Sequence, residues 1–206
     1  MCMQNGQMKS QIEFLLYSTH RPGIETVINH LHGDDDAFYT VPASTKYHDN
    51  FHGGLAKHSL DVYNEAKTMY DRLVESGEQP SFGMDSVILC SLLHDVCKID
   101  EYQMVDGKSQ HTCQYHRDGP HGLKSERLLR SWNLDLNDDE RLAIIWHMGA
   151  YANDAREKYA TTYRPVASSS RLVKKDQVHL LLENGVKLVE VHLLERVRIL
   201  SLQFFG

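Results

Sequence analysis

Cysteine is scarce: the 206 residues hold four, Cys2, Cys90, Cys97 and Cys113, unequally spaced and without a C-x-x-C pair. That excludes a zinc knuckle and a disulfide framework, and the thiols are read as reduced. Basic charge is short as well, with 22 Lys and Arg against 28 Asp and Glu and a formal charge of -6. A chain of that sign has no overall attraction to a polyanion, so strong nucleic-acid binding is not expected. No apolar run approaches the roughly 18 residues that span a bilayer, and no membrane partner is expected. The first twenty residues mix Gln, Asn, Lys and Glu with apolar side chains, unlike a secretory signal, so the expected location is cytoplasmic. Also missing are the phosphate-binding loop G-x-x-x-x-G-K-[ST], the G-x-G-x-x-G turn, the G-x-S-x-G elbow and the H-E-x-x-H helix. Nucleotide-driven motors, dinucleotide oxidoreductases and serine hydrolases thereby lose their usual supports.

What is present is an ordinary core and an excess of histidine. Apolar residues make up 41% and charged residues 24%, a balance that fits one globular domain over residues 1–206. Within it the reading separates an N-terminal helical segment (1–36), a helical core (37–165) and an atypical tail (166–206). Apolar spacing predicts helices over 9–17 and 23–30, then a break at Asp34 to Asp36. From Leu55 to Ser76 the stripe Leu55, Val62, Ala66, Met69 and Leu73 predicts an amphipathic helix ended by Gly77 and Pro80. Met84 to Lys98 reads as a central helix and Pro120 to Trp132 as the next. Asn137 with Glu140 forms a capping box that opens a last helix to about His147. Asp106-Gly107, flanked by short mixed segments, predicts a small β-hairpin within 101–112. The fold class is therefore all-α with that hairpin.

The 13 histidines carry the functional signal. One His-Asp dipeptide is expected by chance in a chain of this composition, about one, and two occur, His48-Asp49 and His94-Asp95. Only the second ends an apolar run, Val87-Ile-Leu-Cys-Ser-Leu-Leu93, and a buried aspartate is costly unless paired or bound to a metal. His58 lies on the core-facing stripe of its own helix, and His147 follows Ile144, Ile145 and Trp146. Any one of these, taken singly, is explained by a core histidine bonded to a backbone carbonyl. Three helices aiming imidazoles inward are harder to explain that way.

The ordered set His58, then His94-Asp95 in Leu-Leu-His-Asp-Val-Cys-Lys, then His121 in His-Gly-Leu-Lys-Ser-Glu-Arg-Leu-Leu, then His147 in Ile-Ile-Trp-His-Met-Gly, resembles the HD superfamily of metal-dependent phosphohydrolases. The stretch Phe38 to Leu60 is similar in particular to the HD domain attached to certain bacterial 3′-5′ exoribonucleases, and the likeness runs to about Tyr151. The resemblance implies a helical bundle holding one or two divalent ions, with Mn, Fe, Co, Ni or Zn suited to such imidazole and carboxylate donors. His58, His94 and Asp95 match the first-metal ligands, and His121 and His147 match the histidines that hold a second ion in binuclear members. Asp95 can bridge two ions, which clamp a phosphoryl group and acidify a water. Lys98, three residues after Asp95, falls on the same side of a helix, where it would neutralise phosphate charge or remain a solvated lysine.

Other residues weigh less. Gly53-Gly54 permits a backbone approach to substrate or a tight turn. His48 and His52 face substrate or solvent. Arg117, Lys124 and Arg127 would add charge near His121, Tyr102 and Tyr115 are candidates to stack a base, and Trp146 and Cys90 read as core. The pattern departs from the family at its end, where a late Asp following Ala is expected and no Ala-Asp occurs. Asp176 has an acceptable separation and is assigned as the ligand, with Glu183 and Asp154 as alternatives. The tail fits either a helix or a strand, and its apolar positions are candidates for self-association. The sequence thus points to a phosphohydrolase acting on a small phosphorylated substrate, a nucleotide above others. The competing readings are a catalytically weak nucleotide-binding or sensor module, and a structural protein without metal.

Overall fold

The computed structural model of the chain describes residues 5–77, 79–114 and 119–147. It is built from helices α1 (Asn5–Ser18), α2 (Ile24–His32), α3 (Ala37–Thr40), α4 (Gly54–Glu75), α5 (Met84–Leu93), α6 (Lys98–Glu101), α7 (His121–Ser131) and α8 (Asp138–Trp146). A short 3-10 turn over Asp34–Asp36 precedes α3, and one antiparallel hairpin, β1 (Tyr102–Val105) with β2 (Lys108–His111), follows α6. Tyr102 faces His111 across the hairpin, and Asp106 and Gly107 both take positive φ at its turn, as a two-residue loop of the primed type requires.

The core follows the predicted stripes. Ile12 and Leu16 of α1, Val27 and Leu31 of α2, Phe38 and Tyr39 of α3, Leu55 and Leu60 of α4, and Leu89, Leu92 and Leu93 of α5 form one apolar cluster with Leu129 and Ile144. Helix α4 lies along α5, and α8 packs on both α5 and α7. The α4 stripe is fully buried through Ala66, and beyond it Met69 and Leu73 are half-buried. Asn137 accepts from the Glu140 amide at 2.9 Å while the Glu140 carboxylate accepts from the Asn137 amide at 2.9 Å, which is the capping box predicted for α8.

Two sequence readings are corrected. The central helix does not continue to Lys98 but ends at Leu93, and the chain then turns through bonds three residues apart, Val96 to Leu93 and Lys98 to Asp95. The Ser91 carbonyl near that end receives the Nδ1–H of His94 at 2.9 Å, so a side chain competes for the helical backbone there. Trp146 is 36% exposed rather than core. Cys90, half-buried, packs against the core cluster in line with its reading as a core residue.

Two glycine positions decide how closely the elements approach. Gly53 takes φ +82, and a Cβ on Gly54 would lie 1.9 Å from the Asp49 carbonyl oxygen, so this pair serves the turn into α4. A Cβ on Gly122 would lie 2.4 Å from the Ile144 oxygen and 2.5 Å from that of Ile145. Gly122→Ala must therefore push α7 off the end of α8, at a cost of about 1–3 kcal/mol. His121 and His147 sit at that junction; urea unfolding measures the loss, and a Gly122→Ala protein as stable as the wild type would refute the close-packing account.

Candidate metal centre

The α4 stripe that buries Leu55 and Val62 also buries His58, and α4 carries it to the end of α5, where His94 and Asp95 leave the helix. The end of α8 brings His147 to the same point. All four are essentially buried. Asp95 Oδ2 lies 3.2 Å from His94 Nε2 and 3.6 Å from His58 Nε2, and its other oxygen, Oδ1, lies 3.4 Å from His147 Nε2. His58 Nε2 and His94 Nε2 are 3.2 Å apart. His58, His94 and Asp95 thus present three ligand atoms within 4.8 Å of one another.

The far side of each ring explains why the near side is usable. His94 donates Nδ1–H to the Ser91 carbonyl at 2.9 Å, and His147 donates Nδ1–H to the Ile144 carbonyl at 2.7 Å. With their protons so placed, both rings turn an Nε2 lone pair toward Asp95, the tautomer a metal ligand needs. Asp95 Oδ1 and His147 Nε2 are buried with no hydrogen-bond partner. Two acceptors facing each other in a dry site repel, and a cation between them removes the penalty. The donor set therefore fits a divalent transition metal.

Electrostatics agree with the geometry. Burial pushes the His58 imidazole down to about 3, so it stays neutral. Burial opposes ionisation of Asp95 too, but the neighbouring Lys98 ammonium favours the charged form, and the carboxyl is held well below its usual range. Lys98 is buried rather than solvated, with Nζ 2.7 Å from Asp95 Oδ2.

These residues form the floor of a cavity of about 320 Å³, whose walls include Ser44, Tyr47, His48, Tyr102, His111 and His121. Of the paired readings, His48 faces the cavity, its ring 4.6 Å from that of His58, whereas His52 is exposed. The hairpin is tied to the opposite wall by Thr45 Oγ1 and His111 Nε2 at 3.1 Å. His121 reaches the wall while its Nδ1 contacts Glu101 Oε2 at 2.6 Å. Glu101, Ser44 and His111 were not singled out from sequence. Glu101 had a usable signal, since it falls three residues beyond Lys98 as Lys98 falls three beyond Asp95. Asp176, Glu183, Asp154, Arg117 and Tyr115, together with the tail, lie outside the described residues. No helix among the described residues is long and apolar enough to cross a membrane.

A pH dependence follows for the metal-free protein. An unfolded chain protonates His58 near 6.5, whereas the folded chain does so only near 3. Between those values the unfolded state binds more protons, so stability is complete above about 6.5 and falls as pH drops. Asp95, depressed in the fold, adds a loss of the same sign further down. Urea midpoints of chelator-treated protein should fall by the equivalent of a few kcal/mol, roughly, from pH 7 to 4, with a shallower slope in His58→Gln. Equal slopes in the two proteins would contradict the burial of His58.

No protein-family model matches the chain. No solved structure matches it either. Over 98 residues the chain is 30% identical to the 3′-5′ exoribonuclease YhaM of Bacillus licheniformis, a stretch that covers 46% of this chain and 29% of that protein. The chain thus spans less than a third of the relative's length. Its partial similarity to an exoribonuclease, taken with a buried His/Asp cluster able to hold a metal, fits a metal-dependent hydrolase.

Proposed function

We propose that the protein is an HD-type phosphohydrolase that cleaves a phosphoester of a small molecule, a nucleotide above others, at the Asp95 centre. The observation that carries this reading is the convergence of His58, His94 and His147 on the two oxygens of one buried carboxylate, two of the facing atoms being orphaned. His58, His94 and Asp95 would hold the first ion. His147 and His121 are the candidates for a second, and Asp176 the candidate to complete the first. Such ions supply Lewis-acid polarisation of the phosphoryl group and an acidified water.

The chain's own residues supply the rest. Asp95, kept ionised by Lys98, offers one oxygen to each side of the centre and so orients the groups that meet there. Lys98 is close enough to shift its ammonium from Asp95 to a phosphoryl oxygen when substrate enters. The Tyr102 and His111 rings, 5.2 Å apart on the hairpin, offer an aromatic edge for a base beside the phosphate site. The partial likeness to a 3′-5′ exoribonuclease supports phosphoester chemistry and a nucleotide-like substrate.

The test is metal analysis of the purified protein, followed by turnover of aryl phosphates, aryl phosphodiesters and nucleotides with added Mn. Bound metal with Mn-dependent phosphate release supports the proposal. Bound metal without turnover would leave a nucleotide-binding or sensor module, and absence of metal affinity would return the histidines to a structural role.

A further inference from the structure

We propose that Cys97, Glu101 and His121 form a metal site of their own, separate from the Asp95 centre, which takes a thiolate-preferring divalent ion, Zn above others, and ties α6 to α7. The inference goes beyond the phosphohydrolase reading and does not depend on it. Each of the three residues offers one ligand atom, and those atoms lie within 4.8 Å of one another. Cys97 immediately precedes α6 and Glu101 ends it, four residues apart and so on one face of its single turn, while His121 opens α7. The Cys97 amide donates to Ser125 Oγ at 3.2 Å and holds the two elements together.

The observation that points to an ion is one oxygen. Glu101 is 2% exposed, and the Lys124 ammonium takes Oε1. Oε2 is buried with no hydrogen-bond partner, although His121 Nδ1 lies only 2.6 Å away. A carboxylate oxygen held dry against a ring nitrogen without a hydrogen bond is costly, and a cation bound to both removes the cost. The buried Cys97 thiol completes the set, with Sγ 3.7 Å from the same nitrogen and 3.4 Å from the His121 carbonyl, to which it donates. Thiolate, imidazole and carboxylate are the ligand types of zinc, and three of them leave a fourth tetrahedral position for water. Sulfur also separates this site from the Asp95 centre, because a thiolate favours Zn over Mn or Mg. Binding forms the sulfur–metal bond and releases the thiol proton to solvent, while His121 gives its Nδ1 lone pair and keeps its ring proton on Nε2. His121 then serves this ion rather than a second one at Asp95, which leaves His147 there. Lys124 counts against a cation, but it offsets only one of the two negative charges that thiolate and carboxylate bring, and by holding Oε1 it leaves Oε2 for the metal.

Cobalt is the probe, because a thiolate bound to Co absorbs in the near ultraviolet and imidazole or carboxylate ligands do not. Chelator-treated full-length protein is titrated with Co and the absorption recorded. The expected result is a saturable thiolate band in the wild type, in Asp95→Asn and in the triple variant Cys2→Ser, Cys90→Ala, Cys113→Ser. The band should vanish in Cys97→Ser, and in Glu101→Gln its midpoint should move to about 10-fold higher Co or beyond. No band in the wild type, a band that survives Cys97→Ser, a band that Asp95→Asn removes, or an unmoved midpoint in Glu101→Gln overturns the proposal. If Cys97→Ser does not fold, the triple variant, whose only thiol is Cys97, decides by the same band. A thiolate band in a protein without phosphoesterase activity would overturn the functional reading and leave this site standing.

Discussion

Asp95→Asn should release the metal and abolish turnover while the protein still folds. The substitution keeps the shape of the side chain but replaces the charged oxygen nearest Lys98, His94 and His58 with an amide. The site loses its only described anionic donor, and Lys98, buried with it, loses its counter-charge. Outer partners of metal ligands typically contribute 10- to 100-fold in affinity, so loss of this central ligand should exceed about 100-fold. Stranding the ammonium should cost about 3–5 kcal/mol. Adding Lys98→Met removes the stranded charge, so the double variant should regain stability but not metal. Calorimetric titration with Mn and urea unfolding separate the two effects, and a single variant that binds Mn like the wild type would end the case for this centre.

Glu140→Ala is expected to cause the largest loss of stability away from the site, about 3–5 kcal/mol, or roughly 10 °C in Tm. Its side chain is 1% exposed and takes four donors. Arg21 reaches both oxygens at 2.8 Å, Ser86 donates at 2.7 Å and the Asn137 amide at 2.9 Å. The carboxylate therefore joins the α1–α2 loop, the start of α5 and the cap of α8. Alanine removes the acceptor of all four and the counter-charge of Arg21, whose Nη1 keeps only the Asp135 carbonyl at 3.1 Å, whereas Glu140→Gln keeps the shape and should cost less. Thermal unfolding of the two variants should rank them in that order; a Glu140→Ala protein as stable as the wild type would show that the junction contributes little.

Much of this was legible in the chain. Apolar steps of three and four placed α2, α4, α7 and α8 to within a few residues, and the capping box was read from Asn137 and Glu140 alone. The Asp-Gly pair gave the hairpin. The Glu140 carboxylate, however, looked like a cap and proved also to be the partner of Arg21, 119 positions away. His48 and Trp146 show the same limit from opposite sides: a histidine open to either reading lines the cavity, and a tryptophan read as core lies at the surface. Glu101 was merely the first residue of the hairpin region until α7 brought His121 against it.

By itself the sequence determined most of the longer helices, the cap that opens α8, and that several imidazoles and one aspartate face inward, because periodicity and capping are local properties of the backbone. Only the tertiary structure decided what each atom meets. The two explanations of a buried histidine, a carbonyl partner or a ligand role, turned out to belong to the two nitrogens of one ring in His94 and His147. That division depends on which helix ends converge, and convergence is set by the packing of side chains far apart along the chain.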